Sequence, residues 1–194
     1  MSSIINADTS DGVKITSDTS GELKLQSAGT DIVTVNSTGI AVASGKSLSV
    51  EPKVGLYYAS SGTTVNHATT TTIAIDTVAF ENLDGAFNTS TYTFTAPYAG
   101  KYRITAQAYK DSTNASYRVI LYVRKNGSSV AKGYVSNPNG TEWFGAVSTT
   151  TILDVALNDA ILVNTYILDA SSASANIDSG LDDTFLAIEY LGDF

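Results

Sequence analysis

The chain contains no cysteine. Disulfide staples, thiol nucleophiles and cysteine-held metals are therefore excluded together. A secreted vertebrate domain would normally use cysteines, so that origin is not expected. Histidine, methionine and tryptophan each occur once. No apolar run approaches the ~20 residues that a membrane-spanning helix needs. Residues 1–8 offer neither a basic region nor an apolar core, so no signal peptide is expected. These features point to synthesis in a cytoplasm, without membrane insertion. Positive charge is short and unevenly placed. Eleven Lys and Arg stand against 19 Asp and Glu, giving a net charge of −8, and no Lys or Arg follows Lys132 while nine acids do. Such an acidic half repels phosphate backbones, which excludes nucleic acid as the expected partner. Solubility alone would account for the charge as well.

Residues 1–50 lack aromatic residues and proline, but glycine recurs at 12, 21, 29, 39 and 45. Between the glycines lie short alternating pieces: Val13–Ile15, Leu23–Leu25, Val33–Val35, Ile40–Val42 and Leu48–Val50. The spacing reads as a repeat of strand plus glycine turn. Each piece offers two or three apolar side chains, too few to bury a core alone. Three copies around one axis would let the stripes face one another and close the strand edges. The alternative is a flexible Gly/Ser/Thr-rich leader. The texture changes at Glu51-Pro52, so we divide the chain into a segment 1–50 and a head 51–194.

The head is organised around Tyr92-Thr-Phe-Thr-Ala-Pro-Tyr-Ala-Gly-Lys-Tyr-Arg-Ile-Thr105. Tyr92 and Phe94 alternate with Thr93 and Thr95, as in a half-buried strand. Pro97 fixes φ and lacks a ladder donor, which ends the strand. Gly100 supplies a φ > 0 position, and Tyr102, Ile104, Ala106 and Ala108 resume the alternation. Leu56 to Tyr58 begin a strand, and Ile73 with Ile75 reads as the next. Tyr117, Val119, Leu121 and Val123 share one strand face; Arg118, Ile120, Tyr122 and Arg124 share an amphipathic one. Asn126-Gly127 is a hairpin turn, because both residues tolerate φ > 0. Asn158-Asp159 turns between two apolar strands, and residues 170–175 form a loop. With no sustained 3.6-residue period, the head is all-β, about eight strands in two sheets.

The run from Tyr92 to Thr105 resembles the globular-head domain of complement component 1, q subcomponent, which shares the jelly roll of the tumour-necrosis-factor superfamily. The likeness continues through Ile75 to Val78, Leu121 to Gly127 and Leu153 to Val163. It ends at Thr184 to Ile188, where Leu186-Ala187 replaces a small Ser-Gly pair. It implies a jelly-roll β-sandwich and threefold packing. The N-terminal segment is similar to the Gly-punctuated stalks of bacteriophage fibre proteins, with Gly21 to Gly29 fitting the unit. Together these imply a β-stalk intertwined in a trimer.

No catalytic constellation stands out. His67 lies in a polar loop without a neighbouring acid, and there is no nucleophile elbow, phosphate loop or zinc spacing. Asp178, Asp182 and Asp183 put hard oxygen ligands on a bendable loop, which suits Ca²⁺, but the spacing is not that of an EF-hand and a solvated acidic loop is the commoner reading; no other cofactor is indicated. Asn137, Asn139 and Trp143 surround a Pro-Asn-Gly turn, where the indole either stacks on a sugar face or packs beneath its loop. The expectation is a non-enzymatic homotrimeric phage structural protein on the virion surface, in capsid or tail. Residues 1–50 would contact other virion proteins, and the knob would contact a host-surface glycan or protein. A bacterial structural adhesin and a glycan-degrading fibre enzyme are the alternatives.

Overall fold

The computed structural model describes residues 22–44, 52–111, 115–139 and 144–193. The repeat pieces Val13–Ile15 and Leu48–Val50, and Trp143, lie outside the described residues. The chain divides into two compact units, Met1–Glu51 and Pro52–Phe194.

In the first unit, three of the short alternating pieces form an antiparallel meander: β1 (Leu23–Ser27), β2 (Thr30–Asn36) and β3 (Gly39–Val42). Ala28 and Gly29, at φ 52° and 74°, make the first turn. Both central residues at positive φ match the twist of a two-residue hairpin. Register then decides where the apolar side chains go. Leu23 pairs Val35, which pairs Ile40; Leu25 pairs Val33, which pairs Val42. All six aliphatics thus stand on one face, and none is buried; Ile40 is 69% exposed.

The second unit is a two-layer β-sandwich. In chain order its strands are β4 (Lys53–Tyr58), β5 (Thr63–Val65), β6 (Thr70–Thr72), β7 (Thr77–Glu81), β8 (Phe87–Asn88), β9 (Thr93–Thr95) and β10 (Gly100–Lys110), followed by β11 (Ser116–Lys125), β12 (Ser128–Ser136), β13 (Gly145–Val155), β14 (Ala160–Asp169), β15 (Ala175–Ile177) and β16 (Phe185–Gly192). Eight of these have five residues or more, the number the sequence suggests; the other five are pieces of two or three residues. One sheet has seven strands in the order β5-β15-β10-β16-β4-β7, with β13 on the other edge of β10. The second has six, β12-β11-β14-β9-β8, with β6 also on β14. Every pairing is antiparallel, and no helix occurs among the described residues.

The core lies between the sheets. Strand β10 sends Tyr102, Ile104, Ala106 and Ala108 inward, all fully buried, as the alternation requires. Facing them are Val119, Leu121 and Val123 of β11 and Ile161, Val163 and Ile167 of β14. Phe94 meets Tyr102 edge-on at 5.9 Å, and Tyr57 stacks on Phe87 at 4.1 Å. Each such buried side chain contributes about 1.5–3 kcal/mol. The buried Tyr102 hydroxyl is satisfied by donating to Tyr98 O at 2.9 Å.

Punctuation follows the sequence at three places. After Thr95 the chain leaves β9, and Gly100 opens β10 at φ 141°. Asn126 and Gly127, at φ 50° and 80°, close the β11–β12 hairpin. Asn158, at φ 69°, turns the chain from β13 into β14.

Four expectations are corrected. Leu56 to Tyr58 end their strand rather than begin it, since β4 already starts at Lys53. Ile73 and Ile75 are core residues but not a strand: Ile73 N donates to Val163 O, and Ile75 N turns back to Ile73 O at 2.9 Å. That bend puts both side chains inward, which strict alternation also permits. Tyr92 precedes its strand, in a turn at φ 57°. Tyr117 does not share the face of Val119: the ladder to β14 shifts register between Ser116 and Arg118, so Tyr117 is the extra, outward residue of a bulge.

Candidate functional site: the outer face of the seven-stranded sheet

A two-layer sandwich leaves each sheet one face without a layer over it. Strand alternation selects the side chains on that face of the seven-stranded sheet, and register arranges them in rows. The central row runs Phe80, Leu56, Ala187, Thr105 and Thr150 across β7, β4, β16, β10 and β13. One side row runs Val54, Glu189, Arg103 and Ile152; the other runs Tyr58, Phe185, Gln107 and Ser148.

The face is apolar at its margins and polar in the middle. Phe80 is 52% and Ile152 56% exposed. Beside Phe80 lies a shallow hollow of about 250 Å³, walled by Val54, Leu56, Ala187 and the stem of Arg103. In the middle, Arg103 Nη1 donates to Glu189 Oε2 at 2.8 Å, and the Thr105 and Thr150 hydroxyls share a hydrogen bond at 3.0 Å. Gln107 Nε2 reaches Asp182 O at 2.8 Å, tying the face to the loop before β16. These polar groups satisfy one another, so the middle can be covered without orphaning a charge. Exposed Phe and Ile around a self-satisfied centre are what a protein surface presents to another protein surface. The sequence did not reveal this face: Phe80 and Ile152 look like ordinary strand residues until register places them together.

The acidic loop forms a tight turn. Asp178 N donates to Tyr109 O, Gly180 N to Ala59 O, and Thr184 N to Gly180 O. The turn gathers Asp182 and Asp183 near Gly180, and Asp178 caps Ser179 N at 2.7 Å. Burial, then the charges of Asp182, Asp178 and Asp111, push the Asp183 carboxyl above the ordinary carboxylate range. Among the described residues no three carboxylate or imidazole groups converge as metal ligands. Asn137 follows β12, its N–H donating to Tyr117 O at 2.9 Å, and Asn139 is exposed two residues on.

His67 has a structural use. Its Nδ1 accepts the Asp169 N–H at 3.2 Å, at the end of β14. Asp169 is itself buried and organises the next loop. Its Oδ1 accepts from Ser171 N, Ser171 Oγ and Ala173 N at 2.9, 2.7 and 3.2 Å. Burial works against ionising Asp169, but those bonds and the charge of buried Lys110 outweigh it and hold the carboxyl below the ordinary range.

No protein-family model matches the sequence, and no curated relative does. Solved structures are similar in fold. Eiger TNF from S. frugiperda is 10% identical, with a TM-score of 0.59 over 75% of this chain and 96% of that one. Murine APRIL is 12% identical, with a TM-score of 0.56 over 73% and 100%. The globular domain of zebrafish complement 1qA protein is 12% identical, with a TM-score of 0.53 over 73% and 99%. The fold is therefore the jelly roll common to these domains.

Proposed function

We propose that the chain is a non-enzymatic, homotrimeric structural protein of a phage virion, a fibre or a capsid decoration. Its N-terminal segment anchors it to the particle, and its jelly-roll knob faces outward for adhesion to a host surface. The observation that carries the reading is the uncovered outer face of the seven-stranded sheet, with Phe80 and Ile152 exposed on it. Threefold association through that face would remove these side chains from water, at about 25 cal/mol for each Å² of apolar surface buried. The tumour-necrosis-factor-like fold supports self-association of this kind. The unburied apolar face of the β1–β3 meander supports an anchor that is completed by sister chains or by the particle.

The test has two arms. Light scattering is expected to give three times the 20.3 kDa chain for the full protein, and a smaller species for Ile152→Glu with its β-sheet spectrum intact. A wild-type monomer at micromolar concentration contradicts the assembly. Deleting residues 1–50 is expected to abolish incorporation into particles; full incorporation of the truncated protein contradicts the anchor.

A further inference from the structure

The six-stranded sheet also has an uncovered face, and its chemistry is different. Register places Tyr134 and Tyr166 on either side of Ile120, and Lys132 beside Tyr122. Arg118 and Arg124 continue the same β11 face at its two ends, six residues apart, or about 20 Å at the antiparallel rise of ~3.4 Å per residue. Ile120 is almost covered by its neighbours, so the tyrosine rings lie against a firm floor. The guanidinium of Arg118 lies over the Tyr134 ring at 5.8 Å, and that of Arg124 over Tyr122 at 6.0 Å.

Charge sets this face apart from the rest of the molecule. Lys24, Lys53, Lys101, Arg103 and Lys125 each lie within 4 Å of a carboxylate. Lys110 lies under the influence of Asp169 and Asp111. Among the described Lys and Arg, that leaves Arg118, Arg124 and Lys132 without an anionic partner, and all three belong to this one face. The Arg124 Nε is, in addition, buried with no hydrogen-bond acceptor. Strands β6, β8, β9, β11 and β12 contain no Asp or Glu, and the one acid of β14, Asp169, is buried. In a chain of net charge −8, a cationic strip thus lies on an aromatic floor with no carboxylate among the described residues of that face to compensate it. The phenol of Tyr134 registers that field: the Ser136 hydrogen bond, and then the charges of Arg118 and Lys132, hold it below the usual tyrosine range.

We propose that this face binds an acidic, uronic-acid-bearing polysaccharide. Tyrosine rings offer flat apolar area for the C–H faces of pyranose rings, with a hydroxyl at the edge for their oxygens. The guanidinium forks pair with carboxylates bidentately, and Lys132 adds a point charge beside Tyr122. A uronic-acid chain carries ring and carboxylate in every unit, matching a strip in which ring and cation alternate. The inference rests on the adhesion reading above and names its ligand class and site.

The experiment is calorimetric titration of the full chain with polygalacturonate fragments, alongside neutral dextran and a single-stranded oligonucleotide. Wild type is expected to bind polygalacturonate, more weakly as salt rises, and to leave dextran unbound. Arg118→Glu/Lys132→Glu is expected to bind about tenfold or more weakly, since charge-assisted bonds are lost and replaced by repulsion. Tyr122→Ala, which leaves every charge in place, is expected to weaken binding too. Both variants must melt as wild type does; if one does not, Arg118→Gln/Lys132→Gln replaces it. No binding by wild type, undiminished binding by the charge variants, or equal affinity for the oligonucleotide would overturn the proposal. Incorporation into particles is a separate readout. A chain that binds polygalacturonate but is absent from particles refutes the virion role alone, and the reverse result refutes the ligand alone.

Discussion

Gly100 separates two costs that usually come together. It opens β10 at φ 141°, a region that L side chains rarely adopt. A Cβ there would lie 2.6 Å from Gly192 O and 2.8 Å from Tyr190 Cε2. Both belong to β16, paired with β10 through Lys101 and Gly192, so the obstacle includes backbone and cannot swing aside. Tyr190 is also held: its hydroxyl donates to Ala99 O at 3.1 Å and its ring packs on Tyr102 at 5.0 Å. Gly100→Val therefore carries dihedral strain of about 1–3 kcal/mol and overpacking of similar size, together about 2–6 kcal/mol. For a domain of this size that corresponds to a melting temperature lower by roughly 5–20 °C. Gly127→Ala is the control. Gly127 also has positive φ, at 80°, but no heavy atom beyond its chain neighbours lies within 4 Å of its would-be Cβ, leaving only a strain of about 1–2 kcal/mol. Thermal melts by circular dichroism, with urea titrations beside them, read the difference. If both variants melt at the same temperature, the close approach of β16 to Gly100 is not what fixes that residue as glycine.

Asp169→Ala is expected to cost about 1–3 kcal/mol, because it strips the following loop of its buried acceptor and removes a carboxylate whose charge acts on buried Lys110. In wild type the folded Asp169 titrates below the unfolded value of about 3.9, so its stabilisation is complete above that value and fades as pH falls through the lower folded one. Urea midpoints measured from neutral pH down to acid would show this, and a wild-type curve parallel to that of Asp169→Ala would contradict it. Asp183 has the opposite sign: its raised carboxyl makes the ionised form a small liability, which Asp183→Asn removes at neutral pH, by less than about 1 kcal/mol, and not in acid. A neutral-pH melting temperature that falls on this substitution would refute the repulsion. Residues 52–194 are expected to melt cooperatively alone, while a peptide of residues 1–50 is not, because the six aliphatics of the β1–β3 meander bury nothing in one copy.

Local signals carried the sequence reading far. Pro97, Gly100, Asn126-Gly127 and Asn158 constrain the backbone within a residue or two of themselves, so their turns can be read from type alone. Alternation along β10 worked for the same reason: Tyr102, Ile104, Ala106 and Ala108 need only the period of two. Errors arose where a partner strand decided. The bulge that exposes Tyr117 is a mismatch with β14, invisible in the β11 sequence by itself. Ile73 and Ile75 alternate like strand residues, but their N–H groups go to Val163 O and to Ile73 O. Candidate surfaces suffered most, because a face is a property of four or five strands at once. The Arg118, Ile120, Tyr122, Arg124 set was legible as one amphipathic stripe. Its significance was not, since it depends on Tyr134, Lys132 and Tyr166 arriving beside it from β12 and β14.

The two uncovered faces of the sandwich point in opposite directions, and that opposition bears on how one small domain could both assemble and adhere in the way proposed. The seven-stranded face has paired its charges internally: Arg103 holds Glu189 and Lys101 holds Asp154. Covering it strands no ion, so apolar contact at Phe80 and Ile152 can drive association without the desolvation penalty of an unpaired charge. The six-stranded face has the reverse character. Among the described residues Arg118, Arg124 and Lys132 have no carboxylate partner, so burying them against a neutral partner would be costly, while an anionic partner would relieve them. Association through the first face leaves the second open to solvent on every copy. A trimer would then present three cationic strips, and three weak contacts with one polymer combine to far greater avidity than each alone. The expected consequence is that Ile152→Glu, in dispersing the assembly, weakens apparent binding to immobilised polygalacturonate by a factor of about 10² or more while leaving the affinity of one strip for a short fragment unchanged. Equal retention of assembled and dispersed protein on the immobilised polymer would disconnect the two faces.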